Sequence, residues 1–381
     1  MKIVYLSSST IPSRTANSIH VMKMCQAFSK NGHEVTLLAP DNHREYEPDV
    51  ECVYDYYGVD QCFEIIKLPW PNIKGRGYLY ATFAMFKAKQ LKPDLVFGRN
   101  TVGCALAAFA GLPVMFESHS PIAESGRLSS WFFDKLSHSK NLKKFVVITH
   151  SLKEHYLSTH PHLADKIHVA PDGADPVPPD IEPVHLPNAG KRMQVGYVGH
   201  LYKGKGMEVV SELASRCSWA DFHVVGGLES DIAYWKEHCS KIENIEFHGY
   251  VPSREAISYQ KACDVLLLPN QEKVNAHGSR ESDIGSWTSP LKLFEYMAVQ
   301  KPIISSDLAV LTEVLTHEHN ALLCTPDDVN QWVQSLERLR DETVLAQRLT
   351  DQAHREFIEA YSWQARTIKL FGITHDHPKT D

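Results

Sequence analysis

Short apolar runs, set off by glycine, proline and polar clusters, alternate along the chain with longer segments whose apolar residues return every three or four positions. KIVYLSS at the start reads as a buried strand. IHVMKMCQAFSKNG follows, and its Val21, Met24, Cys25 and Phe28 fall on one side of a helix that Gly32 would stop. EVTLLAP, FEIIKLP, DLVFGRN, LPVMFESH and KFVVITH are further buried-type strands with helical patterns between them. Strands alternating with helices predict parallel βαβ units with right-handed crossovers. Ligand chemistry in such sheets gathers at the carboxyl ends of the strands, which singles out residues 7–9, 99–100, 117–120 and 149–151.

The pattern breaks once, at the proline-rich PVPPDIEPVHLP of residues 176–187, and then restarts. MQVGYVGH, a helix from Gly206 to Cys217, FHVVGG, IEFHGYV and DVLLLPN repeat the alternation. SPLKLFEYMA, KPIISS, a short helix at EVL and ALLCTP continue it after a polar segment. A helical stretch from Val329 to about Glu359 and a last segment SWQARTIKLFGI complete the chain. The expectation is α/β, with two Rossmann-like doubly wound domains facing across a cleft. Their bounds are residues 1–178, a linker at 179–190, residues 191–359, and a terminal helix at 360–381 that returns to the first domain.

Composition narrows the class. The 381 residues suit two domains, and 43% hydrophobic with 22% charged residues supplies two cores and excludes wholesale disorder. A net charge of −7 argues against nucleic acid as the main partner. The eight cysteines show no C-x-x-C and no Cys/His metal spacing, and Cys104 and Cys263 sit in apolar runs. They read as small buried hydrophobes of a reducing compartment. The N-terminus has no signal-peptide pattern, and the apolar residues 102–116 fit a helix and strand better than a membrane span. Both point to the cytoplasm.

The strongest chemical signal is TSPLKLFEYMAVQKPIISSD. Ser289 is a good N-cap, Pro290 suits the first helical position, and a helix starting at that point aims free N–H groups outward, where a phosphate binds. Lys292 sits in that first turn against the helix dipole, a conflict that a bound anion removes. Glu295, one turn on, lies on the same side and can accept from ribose hydroxyls. A capped amphipathic helix with a surface Lys–Glu pair would carry the same letters. A second anion site is the loop after VGYV, with His200, Lys203, Gly204, Lys205 and Gly206. It matches neither a Walker loop nor G-x-G-x-x-G, and a basic turn is the plain alternative. FESHSP puts His119 directly after a buried strand, where it can donate to a sugar hydroxyl or position reacting groups.

In order, GHEVTLLAP, FESHSP, VVITHSLKEHY, HVAPDGAD, YVGHLYKGKG, FHVVGG, IEFHGYVP, ACDVLLLP, SPLKLFEYMAVQKPIISSD and YSWQART make the whole chain resemble glycosyltransferase family 4, with the GT-B fold. The resemblance implies a retaining transfer of sugar from a nucleotide-diphosphate sugar. Lys205 then corresponds to the donor-phosphate lysine, with Ser289, Pro290, Leu291 and Lys292 beside it. Glu295 corresponds to the ribose glutamate, His119 to the histidine facing the transferred sugar, and the backbone at Tyr250 and Val251 to the base edge. The loop 13–18, with Ala16 and Asn17, faces donor and acceptor. Three positions depart from the family pattern: His200 for an arginine, Thr15-Ala16-Asn17-Ser18 for a Gly-Gly loop, and Trp287 for a donor-sugar glutamate. Glu281 and Asp283 are nearby substitutes for the last.

No carboxylate nucleophile stands out, which suits a front-face path in which the leaving phosphate helps deprotonate the acceptor. With lysines and helix N–H groups on the phosphates and no D-x-D pair, neither an essential metal nor a cofactor is expected. Two other readings stay open: a GT-B nucleotide-sugar epimerase, and a silent GT-B subunit that binds a partner transferase. Transfer by the purified chain alone separates them. Residues 67–92 carry six basic and no acidic residues, interleaved with Trp70, Tyr78, Leu79, Tyr80, Phe83 and Phe86, and Trp131, Phe132 and Phe133 mark a second basic-aromatic stretch. These suit an anionic membrane surface and a saccharide or lipid-linked acceptor. In the plain alternative, Phe83 and Phe86 face the core.

Overall fold

A computed structural model describes residues 1–273 and 285–372. The chain divides into two compact units, Met1–Asp172 with the segment from Trp363 onward, and Gly173–Ser362.

The first unit is built on seven parallel strands: β1 (Lys2–Leu6), β2 (Glu34–Asp41), β3 (Glu64–Pro69), β4 (Leu95–Gly98), β5 (Val114–Ser118), β6 (Leu142–Val147) and β7 (Ile167–Val169). Their order is β3-β2-β1-β4-β5-β6-β7, so the chain winds outward in both directions from β1 and β4. Ile3, Val4, Tyr5 and Leu6 are all fully buried, because helices on both faces remove the usual inside-outside alternation. The helix Ala16–Lys30 buries Val21, Met24, Cys25 and Phe28 and ends at Asn31, before Gly32 in the left-handed region at φ +83°. The terminal helix Trp363–Phe371 packs on it: Asn31 Nδ2 donates to Thr367 Oγ1 at 2.6 Å, and Phe28 meets Phe371 with ring centroids 5.7 Å apart.

The second unit has six parallel strands: β8 (Met193–Val198), β9 (Ala220–Val225), β10 (Ile245–Gly249), β11 (Val265–Leu268), β12 (Ile303–Ser306) and β13 (Leu322–Cys324). The order is β10-β9-β8-β11-β12-β13. Val265 and Leu267 enter one apolar layer and Leu266 and Leu268 another, so the sheet is covered on both sides. The proline-rich 176–187 stretch forms neither helix nor strand.

Three local expectations change. EVL is not a helix: Thr312 bonds back to Leu308 and Leu315 to Leu311, but no two consecutive residues make the four-residue bond, so the segment stays a set of turns. The helical stretch from Val329 breaks at Glu342 (φ −106°, ψ 70°) into Val329–Asp341 and Thr343–Glu356, followed by a π turn at Phe357–Tyr361. The three-residue β7 was missed because IHV is too short to show a period. All eight cysteines are free, with Cys104 and Cys263 buried.

Candidate active site

In the second unit one tyrosine ties the helix Leu291–Ala298 to the end of β8, and another holds the loop that follows β8. Tyr296 Oη accepts the Val198 N–H at 2.9 Å, and Tyr197 Oη donates to the His200 carbonyl at 2.5 Å. The loop closes on Gly206 at φ +85°, where a Cβ would lie 1.9 Å from the Pro269 carbonyl oxygen. Only glycine lets the helix Met207–Arg216 begin so close to the end of β11. Gly226 makes a similar approach, to the Gly199 carbonyl.

Lys292 projects into this arrangement. It is buried, and its Nζ has no hydrogen-bond partner and lies 4.3 Å from the Tyr197 ring centroid. The surface Lys–Glu pair that the same sequence allowed is thus ruled out on the lysine side. Burial first, then the neighbouring Lys205, hold the Lys292 pKa well below the usual lysine range, and Glu295 opposes them. Lys205 is half-buried, its Nζ 5.2 Å from the Tyr202 ring, with its pKa pushed down by burial to about 8. Two neighbouring desolvated cations, one of them without a hydrogen-bond partner among the described residues, carry an electrostatic cost that a bound diphosphate would offset.

Ser289 is not the N-cap. Pro290 adopts extended backbone (φ −74°, ψ 124°) and occupies that position itself, with no side-chain cap. The helix therefore begins at Leu291, and its first turn keeps N–H groups that a side chain would otherwise satisfy. Ser289 is buried just before it, and Glu295 lies half-buried one turn in. His200 is half-buried beside Tyr202, Tyr250 is exposed just past β10, and Val251 is half-buried. Trp287 is half-buried in a turn, while Glu281 and Asp283 lie outside the described residues. Sequence reasoning missed Asn270, at the carboxyl end of β11: it is buried, and neither its Oδ1 nor its Nδ2 has a hydrogen-bond partner. The strand-end rule could have found it, because DVLLLPN ends on it.

The first unit carries a different kind of cluster. Glu117, the penultimate residue of β5, is fully buried, and His119 follows the strand with Nε2 2.5 Å from Glu117 Oε1. His20, on the helix Ala16–Lys30, puts Nε2 2.9 Å from the same oxygen and Nδ1 3.1 Å from Asp172 Oδ1. Arg366, from the terminal helix, holds Glu117 Oε2 at 3.1 Å and also donates to the carbonyls of Pro171 and Ala170. Burial pushes the Glu117 carboxyl up, but Arg366, His119 and His20 together outweigh it and hold it well below the usual range. The His119 pKa is lowered, first by burial and then by Arg99, and His20 is lowered strongly for the same two reasons.

An ionised Glu117 only accepts, so a neutral His119 gives it the Nε2 proton and keeps a bare lone pair on Nδ1. His119 can then accept a hydrogen bond from a sugar hydroxyl, where the sequence suggested donation. His20, Glu117, His119 and Asp172 have the spacing of a metal site, yet a cation there would meet the Arg366 guanidinium already on Glu117. Glu117, His20, Asp172 and Arg366 gave no sequence signal as a set, since 249 positions separate Glu117 from Arg366.

Asn17 differs in its setting. Thr15 Oγ1 accepts from the Ser18 N–H at 3.3 Å and starts the helix at Ala16, so Asn17 lies in a first helical turn rather than in a loop. Its Oδ1 is buried without a hydrogen-bond partner.

The fold agrees with what the chain is similar to. A family profile described as Glycosyltransferase Family 4 matches residues 18–177, and one described as Glycosyl transferases group 1 matches residues 192–342. An uncharacterized glycosyltransferase of Methanocaldococcus jannaschii is 22% identical over 93% of this chain and 94% of its own. A glycogen synthase of Mycobacterium tuberculosis is 21% identical over 91% and 87%. The crystal structure of Anabaena HepE in complex with UDP superposes with a TM-score of 0.71 at 13% identity, covering 98% of this chain and 99% of that one. The protein is thus a glycosyltransferase with two Rossmann-like domains of the GT-B type. The chain belongs to glycosyltransferase family 4.

Proposed function

We propose that the protein is a retaining hexosyltransferase that moves a sugar from a nucleotide-diphosphate sugar to a saccharide or lipid-linked acceptor, in surface polysaccharide or glycoconjugate synthesis. The observation that carries the donor reading is the buried, unpartnered Lys292 beside Lys205 at the strand ends of the second unit. UDP in the Anabaena relative makes UDP-hexoses the first donors to test. Lys205, Lys292 and the uncapped N–H groups at Leu291 stabilise charge on the leaving diphosphate, preorganised before the bond breaks. Glu295 accepts from ribose, Asn17 and His200 contact the donor, and Tyr250 and Val251 flank the base. His119 accepts from a hydroxyl of the transferred sugar through Nδ1, held by Glu117.

The lysines and N–H groups meet the phosphate charge without a metal, so neither metal nor other cofactor takes part in the transfer. The leaving phosphate takes the acceptor's proton on the face that the donor leaves, and the anomeric configuration is kept.

A lipid-linked acceptor would be met at a membrane surface, and the first unit has a surface suited to one. Phe83 and Phe86 do not face the core: they are 40% and 62% exposed, with Tyr78 and Leu79 exposed on the same helix and Phe109 and Trp131 exposed elsewhere in the first unit. Exposed Lys89 lies in the last turn of the helix Arg76–Leu91, and exposed Lys74 and Lys92 flank it. Among the described residues no helix is long and apolar enough to cross a membrane, so this is peripheral binding.

The test is transfer by the purified chain from UDP-hexoses, with the product's anomeric configuration read by NMR. His119→Ala should lower turnover far more than UDP affinity. An inverted product removes the retaining mechanism, and equal losses of turnover and UDP affinity remove the assigned role of His119. Cosedimentation with anionic but not neutral vesicles, lost in Phe83→Ser/Phe86→Ser, checks the surface.

A further inference from the structure

The second unit holds another histidine cluster, away from the phosphate loop in sequence and unused by the transfer. His223 on β9 and His248 on β10 face each other across adjacent parallel strands, with His223 Nδ1 3.0 Å from His248 Nε2. Glu246, the register partner of His223, brings Oε2 to 4.0 Å from His223 Nδ1 and 3.9 Å from His248 Nε2. The pairing of β10 with β9 slips at this point: Phe247 pairs with Val224 and Gly249 with Val225, leaving His248 as an extra residue. Such a bulge re-aims a side chain at the expense of ladder pairing.

The tautomer of His223 is set from behind. Gln194, almost fully buried, donates through Nε2 to the Arg192 carbonyl at 2.9 Å, which turns Oε1 toward His223 Nε2 at 2.7 Å. His223 therefore donates from Nε2 and keeps a lone pair on Nδ1, aimed at His248 and Glu246. A second hydrogen bond that fixes the ring and its tautomer is the usual support of a metal-binding histidine.

We propose that His223 Nδ1, His248 Nε2 and Glu246 Oε2 form a binding site for a zinc-class divalent cation, separate from the nucleotide-sugar chemistry. Tetrahedral zinc with bonds of about 2.0–2.1 Å keeps its ligand atoms roughly 3.3 Å apart, close to the observed nitrogen pair. Glu246 needs to move by less than an ångström, and its side chain, 56% exposed, is free to do so. Without metal, His248 Nε2–H donates to His223 Nδ1. On binding, that proton passes to His248 Nδ1, both imidazoles stay neutral, and the carboxylate supplies the one negative charge. A cavity of about 250 Å³, lined by His223, Glu246, Glu243 and Asn188 among others, leads to the site and leaves room for a water as fourth ligand. Two imidazoles and one carboxylate favour zinc over magnesium or calcium, which take oxygen sets.

Calorimetric titration of the chelator-stripped full chain with zinc chloride tests the proposal. One equivalent should bind, with a tetrahedral absorption spectrum when cobalt(II) replaces zinc. His248→Gln should abolish that equivalent, Glu246→Gln should weaken it, and Gln194→Ala should weaken it roughly 10–100-fold. His377→Gln, in the terminal HDH sequence, should leave it unchanged. Absence of binding to the wild type, retention in His248→Gln, or loss in His377→Gln would overturn the assignment. If His248→Gln fails to fold, as judged by its melting in chelator, the exposed Glu246→Gln still decides the matter.

Discussion

The two units bury charge in opposite ways. In the first, Glu117 sits at zero exposure but is surrounded: Arg366 takes one oxygen, and His119 and His20 take the other. In the second, Lys292 is buried beside a ring face, with Lys205 against it, Glu295 only partly offsetting burial, and no hydrogen-bond partner. A buried charge is tolerable when geometry and hydrogen bonds compensate it, and costly when they do not. The charge of the first cluster is compensated as folded, and Glu117 holds the position and tautomer of His119. In the second, the Lys292 ammonium has no hydrogen-bond partner among the described residues, which is what the proposed diphosphate would supply. Burial alone would rank the two alike, and only the partner inventory tells scaffold from ligand site.

The sharpest way to break the comparison is to remove the compensation in the first unit. Arg366→Met keeps the volume and leaves Glu117 buried without its cation, which should cost about 3–5 kcal/mol in denaturant unfolding. Adding Glu117→Gln should recover part of that loss, because the uncompensated charge goes with it. A loss below about 1 kcal/mol would mean that the histidines alone compensate Glu117.

The matching change in the second unit should have the opposite sign. Lys292→Met removes a buried cation that has no hydrogen-bond partner and that Glu295 compensates only in part, and should stabilise the donor-free protein by about 1–3 kcal/mol. Burial and Lys205 lower the folded-state pKa of Lys292 below 10.5, so folding is penalised below that pH and relieved as pH rises toward it. The gain should therefore be largest near neutrality and fade in alkali. UDP affinity should fall at the same time by about 1.5–3 kcal/mol, the worth of a charge-assisted hydrogen bond. Destabilisation by this substitution would show that Lys292 has a structural partner after all. Glu295→Ala should weaken donor binding by a similar or smaller amount, and Glu295→Gln by less still; unchanged UDP affinity in a folded Ala variant would remove the ribose role.

This contrast also explains how much could be read without coordinates. The strand and helix sequence, the doubly wound class and the glycine-rich loop after β8 were legible because apolar runs and glycines are local signals. Lys292 was legible as a first-turn cation, but its burial was not, since that depends on Tyr197 from a strand far back in the chain. The Glu117 cluster was illegible for the same reason: β5, the helix Ala16–Lys30 and the terminal helix each supply one member or more. Ser289 and Pro290 were assigned one position too early because a proline in extended backbone and a proline at the first helical residue look identical as letters. The exposed Phe83 and Phe86 could not be told from core positions, as a helical stripe does not say which face is covered.

The smallest expected effect is the most specific. Lys205 has its pKa pushed down to about 8 by burial in the donor-free protein, and a diphosphate beside it would raise that value. Between the two values the complex holds more protons than the free protein, so UDP affinity should be flat just below pH 8 and fall above it. The limit is about tenfold per pH unit for one proton, or about 1.4 kcal/mol. Calorimetry in buffers of different ionisation enthalpy should show proton uptake on binding near pH 8. Lys205→Arg, charged throughout this range, should lose the part of the proton uptake that Lys205 supplies near pH 8 and keep only what Lys292, also lowered by burial, contributes. A wild-type affinity unchanged between pH 7.5 and about 9 would place Lys205 away from the phosphates and leave Lys292 alone to hold them.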